Sequence, residues 1–189
     1  EACEKSLARL DCEYIDLYLI HWPLKDLRND SWKAFIELQK RGLCRSIGVS
    51  NFTIENLKEL EKKYDVLPAI NQVEFHPYHY QKELLEYCNS KNIVIEAYSP
   101  LVHAKRMDEP RLIAISDELS KTPAQVLIRW AIQKGMVVLP KSVNQDRIVE
   151  NFAVFDFEIS NSLMKRLDDL DERYVTCWDP HNPPPYAPV

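Results

Sequence analysis

Polar side chains stand at or near the ends of five apolar, β-rich runs of this sequence. The residues with the most useful chemistry are His21 and Trp22, Ser50 and Asn51, Gln72, Tyr98 and Ser99, and Lys141 and Ser142. In parallel α/β folds the carboxyl ends of the strands form the edge where ligands bind, because the variable loops lie there. We therefore expect these side chains to meet at one shared site, as in an enzyme.

The side chains suit two kinds of chemistry. An imidazole N–H at His21 could orient and polarise a substrate carbonyl, although a structural histidine bonded to backbone is the alternative. The amides of Asn51 and Gln72 offer a donor and an acceptor in one plane, although turn capping or a satisfied polar core would also explain them. Chemistry alone leaves these alternatives open.

The last of the five runs precedes a cluster that favours an anion. Asn144 or Gln145 opens a helix whose free N–H groups and dipole attract negative charge. Lys141 and Arg147 add two cations, and Ser142 adds a hydroxyl. A solvated basic loop is the alternative for such a pair of cations.

Strands and helices must alternate to position these residues. The predicted strands are Ile15–Ile20, Ser46–Val49, Ala69–Phe75, Ile93–Ala97 and Met136–Pro140. A helical pattern follows each of them, and Thr53, Thr122 and Ser160 are the expected N-caps. The pattern predicts repeated βα units, in either an open doubly wound sheet or part of an eight-stranded barrel.

The glycine content favours the barrel. The chain has only Gly42, Gly48 and Gly135, so no glycine-rich phosphate loop follows the first strand. A dinucleotide would have to be held by side chains and helix ends, as a barrel allows beside its last strands.

Five segments in register resemble the successive signatures of the aldo-keto reductase family. They are Leu17-Tyr18-Leu19-Ile20-His21-Trp22-Pro23, Ile47-Gly48-Val49-Ser50-Asn51-Phe52, Asn71-Gln72-Val73-Glu74-Phe75-His76-Pro77, Ala97-Tyr98-Ser99-Pro100-Leu101 and Leu139-Pro140-Lys141-Ser142-Val143. The resemblance implies a partial (β/α)8 TIM barrel in which these are parallel strands four to eight with their surrounding helices. Residues 1–189 are then one incomplete barrel domain, with an irregular proline-rich tail over 174–189.

The same resemblance implies the activity. Family members reduce aldehyde or ketone carbonyls to alcohols with hydride from NADP(H), and His21 matches the family's catalytic, substrate-orienting histidine. By family order the catalytic Asp, Tyr and Lys precede Glu1, so we expect this chain to be inactive alone. A non-catalytic truncated pseudoenzyme, or a nucleotide-binding regulatory protein of the same fold, is the alternative.

The resemblance also assigns the cofactor contacts. Ser50, Asn51 and Gln72 are expected at the nicotinamide carboxamide, and Tyr98 against the nicotinamide ring. Ser99 and Leu101 would lie on the pyrophosphate side. The remaining cofactor residues are Lys141, Ser142 and Arg147 at the 2′-phosphate, Val143 beside them, and Glu150 and Asn151 at the adenine amine. Trp22 and Trp178 are expected to contact the substrate.

Composition excludes several other classes. The net charge of −5 argues against a nucleic-acid partner, and no apolar run approaches the roughly 18 residues of a membrane helix.

Five cysteines without a C-x-x-C pair indicate reduced thiols in a cytoplasmic protein. His76 and His79 lack a third ligand, so we expect no metal. We expect a small carbonyl compound as the substrate. The expected protein partner is the missing barrel half or a second copy of the chain.

Overall fold

The computed structural model describes residues 1–177, so Trp178 and the rest of the predicted tail lie outside the described residues. The five strands are β1 (Ile15–Ile20), β2 (Cys44–Ser50), β3 (Ile70–Glu74), β4 (Val94–Tyr98) and β5 (Val137–Leu139). The helices are α1 (Ala2–Leu10), α2 (Arg28–Lys40), α3 (Ile54–Lys63), α4 (Lys82–Ser90), α5 (Pro110–Leu119), α6 (Pro123–Gln133), α7 (Gln145–Phe152) and α8 (Asn161–Asp168). Each predicted strand is confirmed to within two residues at either end.

The strands form one sheet in the order β1-β2-β3-β4-β5, and every neighbouring pair is parallel. A doubly wound sheet would reverse its strand order at a switch point, whereas a barrel keeps sequence order. The sequential order therefore confirms the predicted partial barrel. Within residues 1–177, β1 and β5 each pair with one strand only, so the sheet is open at both edges.

Side-chain capping fixes where the helices after the strands begin. Thr53 starts α3 with a capping box in which Asn56 is the reciprocal partner, and Thr122 starts α6 in the same way with Gln125. Ser160 caps α8 by accepting from the N–H of Leu163. These three predicted caps are confirmed, and they hold the loops that precede the helices.

The two faces of the sheet differ in burial. Ile47, Val49, Ile95 and Ala97 face the helices and are at most 1% exposed, in a core that also buries Trp32 and Trp130. The alternating residues face the concave side, where Val94, Val137 and Leu139 are exposed. This alternation follows the period of two in a strand. None of the helices between residues 1 and 177 has the length and apolar character of a membrane span.

Candidate functional site

Asn51 joins three strands at the carboxyl edge of the sheet. It is 3% exposed and lies at the end of β2 with a φ of 63°, in the left-handed region that asparagine tolerates better than most residues. Its amide nitrogen donates to the carbonyl oxygen of His21 at 3.0 Å, and its Oδ1 accepts from the Tyr98 hydroxyl at 2.8 Å. The three residues predicted to share a site are therefore brought together.

Tyr98 acts as a donor in this arrangement. Burial raises the pKa of Tyr98 well above its usual range, and the charge of Glu74 adds to the effect. The hydroxyl is therefore protonated at neutral pH and available to donate to Asn51. The flat ring of Tyr98 is held at the end of β4 by this bond.

Ser50 and Gln72 extend the same edge. The Ser50 hydroxyl donates to the backbone carbonyl of Gln72 at 2.8 Å and lies 3.0 Å from the amide nitrogen of Asn51. The Gln72 amide nitrogen donates to the Glu96 carboxylate at 2.5 Å across the parallel register of β3 and β4. The side-chain amides of Asn51 and Gln72 thus have partners within the protein. Their contact with the nicotinamide carboxamide stays a prediction.

His21 and Trp22 follow β1 but differ in exposure. His21 is exposed beside Asn51, which fixes its backbone carbonyl. Trp22 is only 8% exposed, so little of its ring is presented to a ligand in this structure. The predicted substrate roles of both residues stay predictions, and Trp178, for which the same role is predicted, lies outside the described residues.

The loop after β4 has an unusual backbone. Ser99, Val102, His103 and Ala104 all have φ between 50° and 61°. Such values are uncommon for any residue with a Cβ, and for a β-branched valine they mark strain that the surrounding structure must maintain. Strained backbone of this kind is concentrated at ligand sites.

A cleft of about 790 Å³ opens beside this loop and β5. It gathers eight residues predicted to contact the cofactor: Ser99, Leu101, Lys141, Ser142, Val143, Arg147, Glu150 and Asn151. Leu139 also lines the cleft, and it pairs in register with Tyr98. The cleft therefore lies next to the end of β4, the strand that carries Tyr98.

The far end of the cleft is cationic. Lys141 and Arg147 are exposed there, and within residues 1–177 neither pairs with a carboxylate. Asn144 caps α7 by accepting from the backbone N–H of Arg147 at 3.0 Å, which places that arginine in the first turn of the helix. Two cations at a helix start are suited to an anionic group.

Glu150 and Asn151 close the cleft from α7. The Thr122 hydroxyl donates to Glu150 Oε1 at 2.5 Å, so the N-cap of α6 orients this carboxylate. Asn151 is buried, with 8% of its surface exposed. Their predicted adenine contact is not tested by these distances, although both residues line the same cleft as the cations.

Sequence reasoning missed a second polar cluster at this edge. The Glu74 carboxylate, 3% exposed, accepts hydrogen bonds from His76 and from Thr176 and Cys177 near the end of the described chain. A carboxylate at the last position of β3 was the available signal. Between residues 1 and 177, no group of three or more His, Cys, Asp or Glu side chains is arranged to hold a metal ion.

The chain is similar to known proteins over most of its length. A model of the "Aldo/keto reductase family" matches residues 1–172. Glyoxal reductase of Bacillus subtilis is 49% identical over 174 residues, which cover 91% of this chain and 63% of that protein. The 9,11-endoperoxide prostaglandin H2 reductase of Trypanosoma cruzi is 45% identical, over 96% of this chain and 65% of that protein.

Solved structures agree with this similarity. An aldo/keto reductase from Brucella melitensis superposes with a TM-score of 0.85 at 42% identity, covering 90% of this chain and 66% of that one. The Bombyx mori aldo-keto reductase in complex with NADP gives a TM-score of 0.86 at 32% identity, covering 93% and 64%. The chain thus spans somewhat less than two thirds of the length of these relatives.

The match extends from α1 to beyond α8 and contains all five strands with the polar residues at their ends. It confirms the family that the five sequence motifs predicted. This chain belongs to the aldo/keto reductase family.

Proposed function

We propose that this chain forms one incomplete barrel domain and supplies the cofactor-binding part of an NADP(H)-dependent reductase of aldehyde and ketone carbonyls. The observation that carries the proposal is the chain of contacts from His21 through Asn51 to Tyr98, beside a cleft that is lined by Ser99, Lys141 and Arg147. Amides, a ring that can stack and a pair of cations are the groups that a nicotinamide dinucleotide phosphate requires.

The donor set of the cleft fits this cofactor. Lys141, Ser142 and Arg147 provide two cations and a hydroxyl for the 2′-phosphate, and charge-assisted bonds of this kind are the strong ones. Tyr98 offers a flat, half-buried ring for the nicotinamide, and Ser99 and Leu101 line the cleft next to it. When bound, NADPH supplies the hydride that reduces the carbonyl carbon.

His21 would orient the substrate. Its imidazole is exposed at the end of β1, next to the amide that fixes its backbone, so its ring N–H can donate to a carbonyl oxygen and polarise the bond. The oxygen must also gain a proton, and the resemblance assigns that step to a tyrosine of the first three βα units of the family barrel. Trp22 and Trp178 would contribute aromatic contacts to the substrate.

The test uses the full-length natural protein. NADPH and NADH are titrated by tryptophan fluorescence, and turnover of glyoxal and of a simple ketone is followed by loss of the NADPH absorbance. We expect tighter binding of NADPH, and His21→Ala should lower kcat roughly a hundredfold while leaving NADPH affinity unchanged. Glyoxal is the first carbonyl to test because the Bacillus subtilis relative is named a glyoxal reductase.

The outcomes separate the proposal from its alternative. NADPH binding without turnover of any carbonyl would favour a pseudoenzyme or a nucleotide-binding regulatory protein. Absence of NADPH binding by the full-length protein would overturn both.

A further inference from the structure

The described chain ends in a segment that returns to the carboxyl edge of the sheet. After α8, the backbone N–H groups of Glu172 and Tyr174 both donate to the carbonyl oxygen of Tyr78, at 3.2 and 2.8 Å. The guanidinium of Arg106 pairs with Glu172 at 2.5 Å and lies 4.5 Å from the ring centre of Tyr174. We call residues 172–177 the strap.

The end of the strap is held by one buried carboxylate. Glu74 Oε1 accepts from the backbone N–H of Thr176 at 2.8 Å and also from the Thr176 hydroxyl. Glu74 Oε2 accepts from the backbone N–H of Cys177 at 3.0 Å. His76 Nε2 lies 3.1 Å from Oε1 on the other side, which makes four donors for one carboxylate.

Glu74 is ionised in this arrangement. Burial acts to raise the pKa of Glu74, but the hydrogen bonds from His76 and Thr176 outweigh it and hold the pKa at about 2. Among residues 1–177, His76 Nδ1 has no hydrogen-bond partner, and the ring contacts Glu74 through Nε2. Both oxygens of Glu74 must therefore be acceptors. A glutamine at this position would place its NH2 group, a donor, opposite one of the strap N–H groups.

The strap in turn contacts the strained loop after β4. Cys177 Sγ lies 3.4 Å from the Ser99 hydroxyl and 3.3 Å from His103 Nε2. Ser99 and His103 both line the cleft, and both have left-handed φ values. Strained residues keep such conformations only when neighbouring groups hold them. Cys177 is one of those neighbours.

We infer that Glu74 is a positioning residue for cofactor binding: it fixes Thr176 and Cys177, and through them holds the loop from Ser99 to Ala104 in the shape that lines the cofactor cleft. The inference rests on the proposed function for the identity of the ligand. The anchoring itself rests only on the contacts of Glu74.

The first measurement is hydrogen exchange, which requires no cofactor. In the full-length protein the amides of Thr176 and Cys177 should be protected, and Glu74→Gln should lower their protection at least about tenfold. The amide of Tyr174, which donates to Tyr78 instead, should keep its protection in the same variant. Unchanged protection at Thr176 and Cys177 in Glu74→Gln would overturn the inference whether or not NADPH binds.

The second measurement is kinetic. Glu74→Gln should raise the KM for NADPH about tenfold, since the loop loses its support, and leave kcat within about threefold. Thr176→Val, which removes only the hydroxyl donor, should give a smaller rise, and Thr176→Ser should restore the original value. Glu61→Gln is the matched control, because Glu61 accepts from Tyr87 and Lys91 on the outer side of α3, away from the cleft.

The two measurements distinguish the possible failures. Lost protection at the strap with an unchanged KM for NADPH would show that Glu74 anchors the strap without positioning the loop, and would overturn the inference. A fall in kcat with an unchanged KM would do the same. A protein that never binds NADPH would defeat the proposed function, while the exchange result would still decide whether Glu74 is the anchor.

Discussion

The Tyr98 hydroxyl donates a hydrogen bond to Asn51 Oδ1 at 2.8 Å and so links the ends of β4 and β2 across the site. The bond also fixes the orientation of the Asn51 amide, whose nitrogen then faces the His21 carbonyl. From the sequence, Tyr98 was expected only to stack against the nicotinamide ring. Its hydroxyl also links the end of β4 to the ends of β2 and β1 through Asn51.

We expect Tyr98→Phe to lower the free energy of unfolding by about 1–3 kcal/mol, because the buried Oδ1 of Asn51 loses its donor. The retained ring should keep NADPH affinity within about threefold, whereas Tyr98→Ala should weaken it further by removing the stacking surface. Denaturant unfolding measures the loss of stability, and fluorescence titration measures NADPH affinity.

Tyr87→Phe is the control, since the Tyr87 hydroxyl donates to Glu61 at an exposed position. Equal stability losses in both phenylalanine variants would contradict the role given to Asn51.

Arg147→Ala should weaken NADPH binding roughly 10- to 100-fold and leave NADH binding nearly unchanged. The reason is that the Arg147 guanidinium lies at the cationic end of the cleft, where only the 2′-phosphate distinguishes the two cofactors. Titration of both cofactors against the variant measures the difference. Arg166→Ala is a suitable control because Arg166 is on α8 and pairs with Glu118. Equal losses for NADPH and NADH would reject the phosphate role of Arg147.

The sequence predicted the elements well because their signals are local. The caps at Thr53 and Thr122 depend on residues three positions apart, and the strand runs are short and apolar. The contacts inside the site are not local: Asn51 is 47 residues from Tyr98, and Glu74 is 102 residues from Thr176. No pattern along the chain indicates that an asparagine with left-handed φ will turn its amide toward a tyrosine on another strand.

Gly48→Ala should destabilise the protein by about 1–3 kcal/mol. A Cβ at Gly48 would lie 2.7 Å from Leu19 Cδ2 and 2.8 Å from the Ile70 carbonyl oxygen, and the backbone contact cannot move without disturbing β3. Gly42→Ala makes a useful comparison, because that position has a φ of 73° but no atom of the described residues 1–177 lies within 4 Å of the added Cβ. It should cost about 1–2 kcal/mol from backbone strain alone. Thermal unfolding of both variants measures this, and a neutral Gly48→Ala would mean that β1 and β3 are not packed as described.

Acid should weaken the contact between α2 and α3. Hydrogen bonds from Arg28, and then from Asn29 and Lys63, lower the pKa of Glu59 from its ordinary 4.5 to about 2. A carboxyl with a lower pKa when folded stabilises the protein fully above pH 4.5, and this contribution is lost as the pH falls toward 2. We expect Glu59→Gln to lose stability at neutral pH and to show a shallower decline in unfolding free energy over that acid range. Glu86→Gln, an exposed carboxylate 3.8 Å from Lys82, should retain the steeper decline. Parallel pH profiles for wild type and Glu59→Gln would rule out this linkage.

The isolated 189 residues should self-associate through the outer face of α7 and the segment after it. Phe152 and Phe155 are 76% and 64% exposed and stack edge to face, and Ile148 and Val149 of α7 are also exposed. Exposed apolar side chains grouped in this way favour association, and within residues 1–177 the open edge of β5 also leaves strand groups unpaired. Sedimentation velocity of the isolated 189-residue chain should therefore show dimers or larger species. The double variant Phe152→Ser, Phe155→Ser should shift the distribution toward monomer.

The double variant Leu24→Ser, Leu27→Ser is the control for any exposed apolar pair, because those residues are 46% and 56% exposed in the loop before α2. A sharp, reversible thermal transition of a monomeric wild-type chain would show instead that the five strands are stable without a covering partner.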